Sequence, residues 1–101
     1  MKTIQTGCAA RLKTLADGTR LAVLGQLLES ERLVGEMQRS LNIDQSLLSH
    51  HLKVLRDSGM VVARRVGKAV AYRLAPGVAP SGDGMALDLG CCQLSFPKDH
   101  V

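Results

Sequence analysis

One stretch of the chain decides its fold: Leu41-Asn-Ile-Asp-Gln-Ser-Leu-Leu-Ser-His-His-Leu-Lys-Val-Leu-Arg56. When residues 45–56 are placed on a helix, at about 100° per residue, their polar and apolar side chains fall on opposite sides. The apolar side carries four leucines, Val54 and, as the one polar exception, His51. The other side covers an arc of roughly 140°. Its residues are Gln45, Ser46, Ser49, His50, Lys53 and Arg56. Because this polar side holds no carboxylate, it suits contact with a polyanion.

Positive charge is concentrated in the same part of the sequence. Residues 44–75 hold six Lys and Arg against two Asp, whereas the rest of the chain balances seven bases with seven acids. The net charge of +4 therefore lies in one patch, which would attract phosphates in a salt-dependent way. A solvated surface that only maintains solubility would explain the charge alone. The charge together with the acid-free helix side favours binding to nucleic acid.

The segments before this helix also read as helical. A first helix is predicted over residues 3–15, and Asp17 caps a second helix with an apolar stripe of leucines. A third helix is predicted from Leu33 to Leu41, followed by a tight turn at residues 42–44. The acid-free helix ends near residues 57–59, where a glycine suits a left-handed terminal residue.

Two β-prone runs follow, Met60 to Val66 and Ala69 to Leu74, separated by Gly67-Lys68. A two-residue loop that begins with glycine predicts a tight hairpin. Symmetric pairing about this loop would place Arg64 and Arg73 on one face. Helix, tight turn, helix and basic hairpin predict a mainly α fold with a small β-hairpin, the winged helix-turn-helix.

Composition excludes several other classes. One Phe, one Tyr and no Trp argue against a platform that stacks single-stranded bases. No apolar run approaches the roughly 20 residues of a membrane span, and the first residues do not resemble a signal peptide, so we expect a cytoplasmic protein without a membrane partner. Three cysteines without an export signal are expected to be reduced thiols. A single domain of this size gains stability from dimerisation.

Two motifs then resemble a known family. Leu15-Ala-Asp-Gly-Thr-Arg-Leu-Ala-Val-Leu24 is similar to the opening signature of the ArsR/SmtB repressors, and Leu48-Ser-His-His-Leu-Lys-Val-Leu-Arg-Asp-Ser-Gly-Met60 is similar to their recognition-helix signature. The wing, residues 64–74, is similar too, so the resemblance covers roughly residues 8–75. It implies a homodimeric repressor that leaves its operator when a metal, a metalloid or an oxidant engages the protein.

The resemblance also implies how DNA would be bound. A twofold dimer would present its two recognition helices to successive major grooves of an inverted-repeat operator. Four residues would read or orient on bases: Gln45, Ser46, Ser49 and His50. Five would hold phosphates: Lys53, Arg56, Arg64, Lys68 and Arg73. The Gly67-Lys68 tip would enter the neighbouring minor groove.

The family's two usual sensing sites look absent. Where some members carry Cys-Val-Cys, this chain has Leu33-Val34-Gly35. A second family site uses Asp and His on a C-terminal helix, but the equivalent region of this chain is rich in Gly and Pro, with only His100 near the end. The predicted organisation is a DNA-binding domain at residues 1–75, a linker at 76–84 and a cysteine-containing sensing segment at 85–101. Residues 85–96 would form a short helix or an extended segment.

The remaining candidates for sensing are Cys91, Cys92 and Cys8. Thiolates are soft ligands that favour arsenite, antimonite, cadmium, mercury and zinc over hard cations, and no organic cofactor is predicted. Two adjacent sulfurs do not complete a three-sulfur site, so Cys8 is predicted as the third. Because the family's first helix packs near the other subunit's C-terminus, we expect Cys8 to come from the partner chain. The competing interpretation makes Cys8 an apolar filler.

Three other functions compete with this one. A redox or persulfide switch on the same fold would use a bridge from Cys8 to Cys91 or Cys92, because adjacent cysteines form only a strained ring. A thiol enzyme is disfavoured, since His100 is terminal and leaves no plausible cysteine–histidine pair on structured elements. A winged helix that has become a protein-interaction module is disfavoured by the acid-free helix side.

Overall fold

The computed structural model describes residues 2–78 and 86–96, and the side chains of residues 7–78 and 86–96. The elements are α1 Lys2–Leu15, α2 Gly18–Glu29, β1 Arg32–Leu33, α3 Val34–Leu41, α4 Gln45–Asp57, β2 Val61–Val66, β3 Ala69–Leu74, β4 Ala86–Asp88 and β5 Gln93–Ser95. The predicted fold, mainly α with a small β-hairpin, is confirmed. Within the two described ranges no helix is both long and apolar enough to cross a bilayer.

Capping residues set the helix-turn-helix. The Asp17 carboxylate accepts a hydrogen bond from the Arg20 backbone N–H (3.0 Å) at the start of α2, as predicted. Asp44 caps α4 in the same way through the Ser46 N–H (3.0 Å). Asn42 ends α3 with a left-handed φ of 53°, and Gly59 follows α4 with a φ of 77°. Left-handed residues end helices readily, because they turn the chain out of the helix.

The apolar side of α4 lies in the core. Leu48, Leu52 and Leu55 are at most 1% exposed and pack with α2 leucines, Met37 and Met60. Leu47 was predicted to share this side, and that prediction was wrong, because Leu47 is 48% exposed. It lies about 100° around the helix from Leu48, beyond the stripe that the neighbouring elements cover.

His51, the one polar residue on the apolar side of α4, is buried among these leucines. Its Nδ1 lies 3.9 Å from Oδ1 of Asp17 and has no hydrogen-bond partner in the described part of the chain. The pKa of Asp17 is lowered, first by the hydrogen bond from the Arg20 backbone and further by the proximity of His51.

The wing is a three-stranded antiparallel sheet in the order β1-β3-β2. The register pairs Val62 with Arg73 and Arg64 with Ala71, so the predicted shared face of the two arginines is confirmed. Strand β1 was not predicted, and Leu33 was expected to begin a helix. Its two residues pair with Tyr72 and Ala71 of β3, a segment too short for a β period to show in the sequence.

Residues 86–96 are extended, one of the two predicted alternatives. Strands β4 and β5 pair as an antiparallel hairpin, and Leu87 and Leu89 lie in the same core as α2 and α4. One hydrogen bond links this hairpin to the segment that follows β3: the Asp88 N–H donates to the Val78 carbonyl (3.5 Å). Residues 79–85 and 97–101, including His100, lie outside the described ranges, so the division into domain, linker and sensing segment stays a prediction.

Candidate DNA-binding surface and thiol site

All six polar residues predicted for the outer side of α4 are exposed. Ser49 and His50, whose burial would exclude contact with DNA, both face solvent. The side chains therefore stand where a partner could reach them. Leu47 is exposed beside them and would add an apolar contact of the kind that meets thymine methyl groups.

A groove of about 510 Å³ runs between α4, α3 and the wing. Five of the nine predicted DNA-binding residues line it: Gln45, Ser49, Lys53, Arg56 and Lys68. The wing tip and α4 thus contribute cations to one concave surface. Gln38 of α3 also lines the groove and was missed, because the polarity and charge pattern that marked the other site residues covers α4 and the wing but not α3.

Two of the predicted phosphate ligands are held by carboxylates. The Lys53 ammonium donates to Asp57 (2.8 Å), one turn further along α4. Asp57 directly follows Arg56, the last residue of the polar side that holds no carboxylate. The Arg64 guanidinium donates two hydrogen bonds to Glu31, at 2.7 and 2.8 Å. These bonds hold the pKa of Asp57 and of Glu31 below their ordinary values. Exposed pairs of this kind are weak, so phosphate could displace the carboxylates.

Arg64 and Arg73 stand apart from the groove. They lie on the sheet face opposite to Tyr72, which lines the groove and is buried. The positive charge of Arg73 also lowers the pKa of Glu31. The Glu31 carboxylate therefore interacts electrostatically with both arginines. Glu31 was missed by sequence reasoning, because it is 33 residues from Arg64 and no local pattern links the two.

The three cysteines meet at one place within a single chain. Cys8 lies on α1, Cys91 and Cys92 lie between β4 and β5, and the three Sγ atoms are within 4.8 Å of one another. Cys8 and Cys91 form a disulfide with their Cα atoms 6.0 Å apart. The expectation that all three thiols are reduced, and that Cys8 comes from the partner chain, differs from this arrangement. Packing of the hairpin beside α1 brings Cys8 close in the same chain.

Cys92 is the free and exposed member of the cluster. Its Sγ lies 3.9 Å from Sγ of Cys8 and 3.9 Å from Sγ of Cys91. Two sulfurs bonded at about 2.3 Å to one tetrahedral ion lie about 3.8 Å apart. The separations to Cys92 are therefore those of a shared soft ion, once the disulfide is reduced.

Hydrogen bonds position the turn that carries the two adjacent cysteines. Arg11 on α1 donates from Nη1 to the carbonyl oxygen of Leu89 (3.1 Å). The Gly90 N–H donates to the Asp88 carboxylate (2.8 Å), and Gly90 has a φ of 90°, which favours glycine. Arg11 was missed in the sequence, because its partner is a backbone atom 78 residues away.

Comparison with known proteins places these features in context. Residues 17–62 match the family model described as "Bacterial regulatory protein, arsR family". The chain is similar to the HTH-type transcriptional repressor SmtB of Mycobacterium tuberculosis, at 45% identity over 64 residues, which is 63% of this chain and 47% of SmtB. The chain thus spans about half the length of that curated relative.

Solved structures give the same picture. HlyU from Vibrio cholerae has a TM-score of 0.72 at 37% identity, over 74% of this chain and 82% of that one, and a further structure is described as reduced HlyU. A domain from Mycobacterium bovis, described as a homodimeric winged helix-turn-helix DNA-binding domain, has a TM-score of 0.65 at 35% identity, over 73% of this chain and 69% of that one. The names of these relatives are those of regulators and not of enzymes.

Proposed function

Because the chain belongs to the ArsR/SmtB family of winged helix-turn-helix regulators, we propose that it is a transcriptional repressor that leaves its operator when a thiophilic ion binds its cysteines. The proposed effector is arsenite or antimonite, with cadmium, mercury and zinc as related soft or borderline ions. The proposed DNA-bound form is a homodimer on an inverted repeat in the cytoplasm.

The single observation that carries the effector is the meeting of Cys8, Cys91 and Cys92, with all three sulfurs within 4.8 Å. Three soft donors at one point suit a trivalent metalloid, which takes three thiolates. Two of the donors are exposed and Cys8 is half-buried, so an ion can enter from solvent. The donor set therefore fits the proposed effector.

The DNA half is supported by the exposed polar side of α4 and by the groove that it shares with the wing. Arg56 and Lys68 line this groove and make no ion pair within the described residues, so their charge is free for phosphates. SmtB is named a repressor, and the Mycobacterium bovis domain is described as homodimeric and DNA-binding. We extend both properties to this chain as part of the proposal.

The coupling between the two halves would run through α1. Leu12, one turn after Cys8, is 45% exposed, and a homodimer that packs along α1 would cover it. An ion bound by Cys8 and the hairpin cysteines would fix the position of α1 relative to the hairpin, and a change in that position would shift the two recognition helices relative to each other. Coupling of this kind is typically about 1 to 3 kcal/mol.

The test is a fluorescence anisotropy titration of DNA from upstream of the protein's own gene, at two salt concentrations, with reduced protein and with or without arsenite. We expect affinity to fall steeply between about 50 and 200 mM salt and to fall again on adding arsenite. The matched control replaces Cys8, Cys91 and Cys92 with Ser, which should keep DNA binding and lose the arsenite response. Salt-insensitive binding, or an arsenite response in the control, would refute the proposal.

A second candidate function is a thiol redox or persulfide response without a metal. The disulfide between Cys8 and Cys91 favours it specifically. Separate aliquots treated with arsenite or with peroxide, followed by intact mass measurement and the same titration, distinguish the two. Release by peroxide alone would assign the redox function.

A further inference from the structure

We propose that the three thiols form one site with two mutually exclusive states: a disulfide in which Cys8 is always one partner, and a reduced state that binds a single arsenite. Oxidation by a peroxide would then switch off the metalloid response. The claim that the reduced site binds arsenite rests on the proposed function. The claim that Cys8 is one partner in every disulfide does not.

Cys8 is the common partner because of its position. It is bonded to Cys91, and its Sγ is 3.9 Å from the Sγ of Cys92. A bridge between Cys91 and Cys92 would need the strained ring of adjacent cysteines. Either hairpin cysteine can therefore pair with Cys8, whereas the two hairpin cysteines do not pair with each other.

The two bridges can interconvert without an oxidant. The Cys92 thiolate attacks Sγ of Cys8, a Cys8 to Cys92 bond forms, the Cys8 to Cys91 bond breaks, and Cys91 leaves as the thiolate. The electrons balance because one disulfide replaces another. Cys92 is the free cysteine of the site and is exposed, so its sulfur is placed to attack the disulfide.

Formation of the first bridge needs an oxidant, for which we name a peroxide. Cys8 attacks the peroxide as its thiolate, the O–O bond breaks, and a sulfenic acid and hydroxide form; the hydroxide takes up the proton that the Cys8 thiol has lost and becomes one molecule of water. The thiol of Cys91 then displaces a second molecule of water as the disulfide forms. Two thiols lose two electrons and two protons, and the peroxide is reduced to water.

Arsenite uses the same atoms in a different way. Its three hydroxyl groups leave as water while three thiols become ligands, and arsenic stays trivalent. A disulfide withdraws two of the three ligands and leaves one thiol. The oxidised chain therefore lacks an arsenite site, and bound arsenite should in turn protect the thiols from peroxide.

The experiment uses the full chain and three single variants, Cys8→Ser, Cys91→Ser and Cys92→Ser. After peroxide treatment, intact mass and a non-reducing gel report whether a bridge forms and whether it lies within one chain. We expect the Cys91→Ser and Cys92→Ser variants to form a bridge within one chain and Cys8→Ser to form none. DNA affinity without effector shows that each variant is folded.

In the second half, arsenite is titrated into oxidised and reduced protein. We expect the reduced chain to bind one arsenite and the oxidised chain to bind none. Each Ser variant should bind at least about tenfold more weakly, because even loss of an outer-shell partner costs that much. Addition of a reductant to the oxidised chain should restore binding.

The outcomes separate the inference from the proposed function. Equal arsenite binding by oxidised and reduced protein overturns the inference and leaves the proposed function intact. A bridge in Cys8→Ser within one chain, or bridges only between chains, also overturns it. If the reduced protein binds no arsenite, both fail, and a bridge in Cys91→Ser and Cys92→Ser then points to the redox function.

Discussion

The polar side of α4 and the thiol site are built in opposite ways. The first is carried by one continuous helix, where the positions of Ser49 and Lys53 on the exposed side follow from the helical period. The second joins Cys8 to Cys91 across 83 residues, and it exists only while the β4–β5 hairpin is docked beside α1. A surface on one helix depends on local order, whereas a site shared by distant segments depends on how those segments pack.

The largest expected effect concerns the anchoring of α4. Leu48→Ala should lower the free energy of unfolding by about 2 to 5 kcal/mol, because it opens a cavity under a residue that is 0% exposed. The neighbouring Leu47→Ala is the matched control, and its effect should stay within about 0.5 kcal/mol. Urea denaturation followed by circular dichroism measures both.

Similar losses of unfolding free energy for Leu48→Ala and Leu47→Ala would contradict the description of α4 as having one buried and one exposed side. They would mean that Leu47 is covered in solution, for example by a second copy of the chain, and that the exposed side of α4 is narrower than the single chain shows.

The next effect tests the groove. Arg56→Ala and Lys68→Ala should each weaken operator binding about tenfold, since a charged hydrogen bond contributes about 1.5 kcal/mol or more. Each should also reduce the salt slope by about 1. Lys13→Ala on α1, an exposed residue outside the groove lining, removes the same charge elsewhere. Anisotropy titrations at several salt concentrations give both quantities.

If Lys13→Ala weakens binding as much as Arg56→Ala does, DNA is attracted by the net positive charge of the whole protein and not by the cations of the groove. That result would remove the distinction between a built surface and a diffuse basic character.

Sequence reasoning succeeded where the physical cause was local. The cap at Asp17, the left-handed Gly59 and the exposure of the polar side of α4 all depend on residues a few positions apart. The hairpin register followed as well, because its two-residue loop sets the pairing of Arg64 and Arg73 with the opposite strand.

What could not be predicted depends on long-range packing. The number of thiol donors and, for the redox alternative, a bridge from Cys8 to Cys91 or Cys92 were predicted from the sequence, but not that Cys8 meets Cys91 within the same chain. The two residues of β1 carry no period of their own and become a strand only because β3 lies beside them. The same holds for the contact of Arg11 with Leu89, which appears only once α1 and the hairpin are docked.

A smaller effect tests that docking directly. Arg11→Ala removes the hydrogen bond to the Leu89 carbonyl without altering a thiol, and should cost about 1 kcal/mol of stability. Because the hairpin is then less firmly held, arsenite should bind more weakly, while DNA affinity without effector stays the same. Isothermal titration with arsenite and the anisotropy assay measure the two properties, and Lys13→Ala on the same helix is the control.

Unchanged arsenite affinity in Arg11→Ala would show that the thiols alone hold the site together. The thiol site would then depend less on packing than its construction from two segments suggests.

The smallest effect concerns the face of the wing that carries Arg64. Glu31→Gln removes the carboxylate that accepts two hydrogen bonds from this arginine. If Arg64 contacts phosphate, the variant should bind DNA about two- to fivefold more tightly, the range that an exposed ion pair contributes, with a salt slope steeper by up to about 1. Glu29→Gln, which removes the partner of Arg32, is the matched control.

The pH dependence of this effect has a definite sign. The hydrogen bonds from Arg64 lower the pKa of Glu31 below its ordinary value of 4.5, so the pair is fully present above that value and is lost as the pH falls through the lowered pKa. The gain from Glu31→Gln should therefore be constant across neutral pH and disappear only in acid. An unchanged affinity would instead show that Arg64 and Arg73 face away from DNA. The contact surface would then be confined to the groove and the exposed side of α4, and Glu31 would only hold the outer face of the wing together.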